Sequence, residues 1–209
     1  MLGGFGDAYT PLAWDSTRFR VLNQGGDWLN ELKNVKARGW NAQDERAFTW
    51  VELEDSAVKK GREQRKLLFI NTHLDHVGEQ ARVGGTQKIL DFVGEWPVDF
   101  PIIITGDFNS GPYNPRPDAP YYTARSYELF AAAGFMDTWR TATGIWPPPA
   151  TFHNFKGSAY RADKYGTWYI DWPLARNLKV HSAEIITFKR GERPPSDHHP
   201  VAAGVFYTQ

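Results

Sequence analysis

Pro101-Ile102-Ile103-Ile104-Thr105-Gly106-Asp107-Phe108-Asn109 sets the fold class. Three isoleucines in succession, opened by proline and closed by glycine, form a short continuous apolar run. That is the pattern of a strand buried on both faces, which occurs where helices cover a largely parallel sheet. The polar residues that follow then stand at a strand end, where layered α/β proteins bind ligands. Asp107 and Asn109 are two apart, so in extended chain both side chains face the same way. Such an oxygen pair suits a hard cation such as Mg²⁺ and a phosphate oxygen beside it. An Asx turn after a strand would leave the same signature.

Working outward, Lys66–His73 is a second mostly apolar run ending in polar residues, and Ala47–Leu53 alternates with a strand period. The charged stretch Asp55–Arg65 makes these two a hairpin with a long loop. Glu79–Trp96 carries Ile89, Leu90, Phe92 and Val93 at helical spacing, weakened by Gly84-Gly85 at roughly 1 kcal/mol per glycine. Tyr121–Ala133 reads as a helix stopped by Gly134. Thr10–Trp14 and Phe19–Asn23 read as short strands around Asp15-Ser16-Thr17, and Thr167–Leu174, Val180–Phe188 and Pro200–Tyr207 are strand-like. Many strands with two helices in the crossovers indicate one α/β layered domain over residues 1–209.

The 209 residues carry 24 Lys+Arg against 24 Asp+Glu, so bulk positive charge cannot grip long nucleic acid, and a nucleic-acid substrate is disfavoured on that ground. The absence of cysteine excludes disulfides, Cys-ligated zinc and a thiol nucleophile. No apolar run is long enough to span a bilayer. Met1–Gly6 has neither the basic nor the apolar region of a signal peptide, so the expectation is a soluble chain of undetermined compartment.

Three further clusters accompany Asp107 and Asn109. Asn71-Thr72-His73-Leu74-Asp75-His76 follows the run Leu67–Ile70. Tyr169-Ile170-Asp171-Trp172 places a lone carboxylate among aromatic residues, a costly arrangement unless an imidazole or another donor meets it. Ser196-Asp197-His198-His199-Pro200-Val201 precedes the last apolar strand and offers a carboxylate beside an imidazole that titrates near neutrality. A solvated turn or strand end would explain any one of them. Four together, each beside an apolar strand, point to a phosphate-handling site.

With Thr151-Phe152-His153, these motifs in this order resemble the endonuclease/exonuclease/phosphatase superfamily of DNase I-like proteins. The resemblance extends to the regions between, such as Asp7–Leu12 with Phe19–Leu22, and Glu128–Phe130 through Trp139. It implies an α/β fold of four layers, α/β/β/α, a two-sheet β-sandwich flanked by helices. It implies Mg²⁺-dependent hydrolysis of a phosphate ester, with Mn²⁺ as an alternative ion. In that scheme His73 binds or protonates the phosphate, and Asp107 holds the metal or the attacking water. Asn109 orients a phosphate oxygen at the metal, Asp171 buttresses His198, and His198 acts as base or phosphate ligand. Asp197 assists the metal, while Asn71 and His153 bind substrate.

The departure is an acidic metal ligand that the superfamily carries in an early strand. Glu31, Glu45 and Glu52 lack its context. The expectation is therefore a fold lacking its first strands and helix, with weakened metal binding and an exposed apolar strip on the N-terminal side that another chain could cover. A non-catalytic remnant that binds phosphate esters or a protein partner is the main alternative. A dinuclear zinc hydrolase using His73 and His76 is a lesser one, since it leaves Asp107, Asn109 and Asp171 unexplained.

Overall fold

Strands β3 (Arg65–His73) and β4 (Ile102–Asp107) lie parallel at the centre of a six-stranded sheet, joined by helix α1 (Glu79–Gly94). The chain is described here by a computed structural model covering residues 10–57, 65–112, 123–157, 168–187 and 194–208. A parallel pair needs a crossover, and the apolar stripe of α1 supplies it: Ile89 and Val93 pack with Leu68, Ile70, Ile102 and Ile104 in the main core. On one side of β3, β2 (Ala47–Asp55) pairs antiparallel, with β1 (Phe19–Trp28) outside it. On the other side, β6 (Leu174–Arg176) pairs with β4, and β5 (Met136–Asp137) closes the sheet.

Helix α2 (Arg125–Ala132) packs with α1 and ends at Gly134, whose φ of 84° takes the left-handed conformation that stops a helix. A second sheet, β7 (Leu178–Ile185) with β8 (Val201–Tyr207), faces the opposite side of the large sheet. Leu178, Val180, Val205 and Tyr207 meet Leu67, Ile103 and Ala175 across the gap. Helix α3 (Thr138–Thr143) packs on β7. The layers are thus helices, large sheet, small sheet and helix. No helix among the described residues is long and apolar enough to cross a membrane.

Three expectations need correction. Thr10–Trp14 forms no strand; its carbonyls instead take side-chain hydrogen bonds, Thr10 from the Thr49 hydroxyl and Pro11 from Asn71 Nδ2 at 3.0 Å. In the stretch read as a strand over Thr167–Leu174, residue 167 lies outside the described residues, Asp171 makes a single bridge to β4, and only Leu174 belongs to a strand. Pro173 has no N–H to give a ladder, and its carbonyl is used by the Thr138 N–H and hydroxyl. A third helix, α3, appears because Asp137 caps it, accepting from the N–H groups of Trp139 (2.8 Å) and Arg140 (3.2 Å). Separately, Phe206 of β8 is 58% exposed, on a strand that also exposes Ala202 and Ala203.

Candidate active site

The parallel register pairs His73 with Asp107, so the ends of β3 and β4 deliver an imidazole and a carboxylate side by side. Close approach of the two strands depends on Gly106. A Cβ there would lie 2.1 Å from the Thr72 carbonyl oxygen, and its φ is 153°. Beyond it, Phe108 is fully buried and stacks on Trp172 with ring centroids 4.3 Å apart. Phe108 N–H donates to the Ile170 carbonyl (2.8 Å) and Trp172 N–H to the Gly106 carbonyl (3.2 Å), which brings Asp171 opposite Asp107. Thr151 fixes Asp171 from behind, its hydroxyl oxygen accepting from the N–H groups of Ile170 (3.0 Å) and Asp171 (3.1 Å). Phe152 bridges to His198 and sets the last member in place.

The outcome is a compact polar cluster. His198 Nδ1 lies 2.8 Å from Asp171 Oδ2, and His198 Nε2 lies 3.9 Å from Asp107 Oδ2. His73 Nε2 approaches the same Asp107 oxygen at 3.3 Å. Asp107 is therefore flanked by two imidazoles, and its side chain keeps 18% of its surface open. Together Asp107, Asp171 and His198 offer three ligand atoms within 4.8 Å of one another. A cavity of about 350 Å³ lies beside them, reaching Thr105, Pro173 and Val201.

Burial raises the Asp171 carboxyl, aided by the charge of Asp107 and opposed by the hydrogen bond with His198. Burial alone would lower His198. The hydrogen bond and charge of Asp171, with the charges of Asp107 and Asp197, outweigh it and hold His198 above its ordinary value. An ionised carboxylate only accepts, so the proton on Nδ1 is fixed and Nε2 is the atom that faces Asp107.

Other expected residues stand elsewhere. Asn109 is not extended: with φ 46° it closes an Asx turn, its N–H donating to Asp107 Oδ1 (2.9 Å) and its Nδ2 to the Leu74 carbonyl (3.0 Å). Asn71 spends its amide on the Pro11 carbonyl and the Thr105 hydroxyl, so it ties the 10–14 segment to the sheet. His153 is 1% exposed and cannot touch a substrate in this arrangement. Its Nδ1 accepts from Gly157 N–H (3.1 Å), and its ring lies 4.0 Å from that of His199. Asp197 falls outside the three-residue cluster, and its carbonyl accepts from His153 N–H (2.8 Å). His76 faces Asp44 and Arg46 and groups with Asp44 and Asp75, not with His73, against a two-zinc arrangement.

Two positioning residues carry no clear mark in the sequence. Thr151 stands inside a quoted motif, but nothing in a lone threonine marks it as the acceptor that orients Asp171. Arg82 is completely buried in α1, bound to Glu79 Oε2 (2.6 Å) and to the Asp75 carbonyl (2.9 Å), and so ties the loop after His73 to the helix.

Solved structures share this arrangement of sheets and helices. The chain has the DNase I-like fold of the endonuclease/exonuclease/phosphatase superfamily. A superfamily protein from Bacteroides vulgatus is 28% identical, covers 95% of this chain and 70% of its own, and has a TM-score of 0.76. One from Bacteroides thetaiotaomicron is 24% identical over 94% of this chain and 68% of its own, with a TM-score of 0.76. A mannosyl-6-phosphatase from the same organism is 24% identical over 93% and 69%, with a TM-score of 0.73. No protein-family model matches the sequence, and no curated protein matches it significantly.

Proposed function

We propose that the chain is a metal-dependent phosphoesterase whose reacting phosphoryl group sits over Asp107, between His73 and His198. The observation that carries this reading is the convergence of both Nε2 atoms on one partly open carboxylate oxygen, with Asp171 behind His198. Two imidazole N–H groups suit two phosphoryl oxygens, and the raised His198 holds its proton toward neutral pH. A water placed beside Asp107 Oδ2 would give its proton to that oxygen as it attacks phosphorus. Attack by that water forms the new P–O bond as the ester oxygen departs, and an imidazole N–H is available to the leaving oxygen. Thr151 and Asp171 keep His198 in register throughout.

The donor set bears on the metal. Asp171 is committed to His198, which leaves Asp107 as the carboxylate of the cluster that stands partly open, although it already meets Asn109 N–H and both imidazoles. Mg²⁺ is commonly held by one or two carboxylates plus substrate phosphate and water, so the residues fit an ion taken up with substrate rather than a tightly resident one. When bound, it would neutralise charge building on the phosphoryl oxygens. Mn²⁺ suits the same donors.

The similarity to a protein named as a mannosyl-6-phosphatase makes a sugar phosphate monoester the first substrate to try. The test is turnover of p-nitrophenyl phosphate, bis-p-nitrophenyl phosphate and mannose 6-phosphate with Mg²⁺, with Mn²⁺ and with EDTA. Metal-dependent hydrolysis that His198→Ala and Asp107→Asn each abolish supports the proposal. Saturable phosphate binding without turnover on any ester would instead establish the non-catalytic reading.

A further inference from the structure

A second cavity, of about 650 Å³, opens on the other face of the large sheet. The β2–β3 register sets its position: Phe48 and Trp50 pair with Thr72 and Ile70, whose side chains turn toward α1, while His73 alternates to the opposite face. The cavity therefore shares no wall with the catalytic cluster. Its volume is within the range of small-molecule sites.

Its walls are built around glycines that otherwise make poor sense. Gly84 lies inside α1, where glycine costs about 1 kcal/mol. A Cβ there would meet the Trp40 indole at 2.3 Å, so Gly84 exists in contact with that ring. Gly25 of β1 receives Trp50 in the same way, since a Cβ added there would lie 3.0 Å from the indole. Trp40 takes a φ of 49°, an uncommon conformation for a bulky side chain, and its N–H is held by Glu31 Oε1 at 3.0 Å. Lys88 fastens the loop, reaching Asp27 Oδ2 (3.0 Å) and the carbonyls of Asn30 (3.2 Å) and Leu32. The loop is thus fixed with Trp40 still 38% exposed at the cavity.

The charge is one-sided. Lys88 neutralises Asp27, and the rest of the lining carries Lys33 against three carboxylates, Glu31, Asp91 and Glu95. Aromatic walls with surplus carboxylates attract a cation and repel a phosphate. We propose that this cavity binds a small organic cation, a quaternary ammonium or guanidinium head group, against Trp40 and Trp50 with Asp91 and Glu95 at its rim.

The test is calorimetric titration of the whole chain with choline and tetramethylammonium, against the neutral isostere 3,3-dimethyl-1-butanol and against mannose. Saturable binding of the cations alone is expected. Trp40→Ala should weaken it by about three- to thirty-fold. The exposed pair Asp91→Asn with Glu95→Gln, which leaves the core intact, should weaken it as well and reduce its dependence on salt. Ester hydrolysis at the other face is a separate readout and should be unchanged in these variants. No saturable heat from either cation at tens of millimolar, equal binding of the neutral isostere, preferential binding of mannose, or indifference to both sets of substitutions would each overturn the proposal.

Discussion

Replacing Asp171 by asparagine tests the electrostatic core of the site. His198 Nδ1 stands 2.8 Å from Asp171 Oδ2, and both side chains are about one-quarter exposed. An opposite charge at such range favours the imidazolium and so raises the ring. In Asp171→Asn the charges of Asp107 and Asp197 still favour the imidazolium, while burial opposes it. Loss of the Asp171 charge should therefore lower His198 while leaving part of its elevation in place. The sign for activity follows from the role of the Nε2 proton. In the wild type, kcat/KM should decline as pH rises through the raised His198 value, above the ordinary 6.5 or so of histidine. In the variant that basic limb should move to lower pH. The amide oxygen can still accept from Nδ1, so orientation is partly kept, and the loss below both limbs should be about tenfold to a hundredfold. The assay is kcat/KM against pH from about 5 to 10, with the ring protons of His198 followed by NMR over the same range. A basic limb at the same pH in both proteins would refute the argument that Asp171 sets the charge of His198.

Other substitutions probe the frame. Gly106→Ala puts a Cβ 2.1 Å from the Thr72 carbonyl and should cost about 2 kcal/mol or more in urea denaturation, with activity lost beyond that through the His73–Asp107 register. Gly84→Ala would stabilise an ordinary helix, but here it drives into Trp40 and should lower the thermal midpoint; a raised midpoint would show that Trp40 does not rest on α1. Asp75 is 2% exposed and accepts from the N–H groups of Gln43, Asp44, Val77 and Gly78. Burial works against its charge, yet these donors and Arg46 hold its carboxyl below the usual range. Its stabilisation is then complete above the unfolded value near 3.9 and is lost as pH falls through the lower folded value. Asp75→Asn should cost about 3 kcal/mol at neutral pH, and the difference from wild type should shrink in acid.

Sequence periodicity locates the parts of the fold that burial dictates. β3, β4 and α1 lie close to where their apolar runs place them, because a buried strand or an amphipathic helix writes its environment into residue type. The elements that periodicity misses are governed by single polar contacts. Helix α3 depends on the Asp137 cap, and Leu174–Arg176 is a strand of three residues that begins after a proline. The site divides in the same way. Pairing of His73 with Asp107 follows from two adjacent strand ends. A donor for Asp171 is expected from the cost of a carboxylate among aromatic rings, the superfamily resemblance implies that it is His198, and the two lie 2.8 Å apart. Asn109 departs from expectation because an extended reading runs the strand through a residue that takes a left-handed conformation. The burial of His153 leaves no trace in its own motif, since it results from packing against His199 across a distant loop.

The claim that a phosphoryl group docks between His73 and His198 is tested most directly by titrating inorganic phosphate or vanadate into the protein while following the histidine ring signals, assigned with His73→Gln and His198→Gln. The account predicts saturable shifts confined to His73 and His198, with the four other histidines unmoved. Absence of saturation, or shifts centred on His76 or His181 instead, would contradict it.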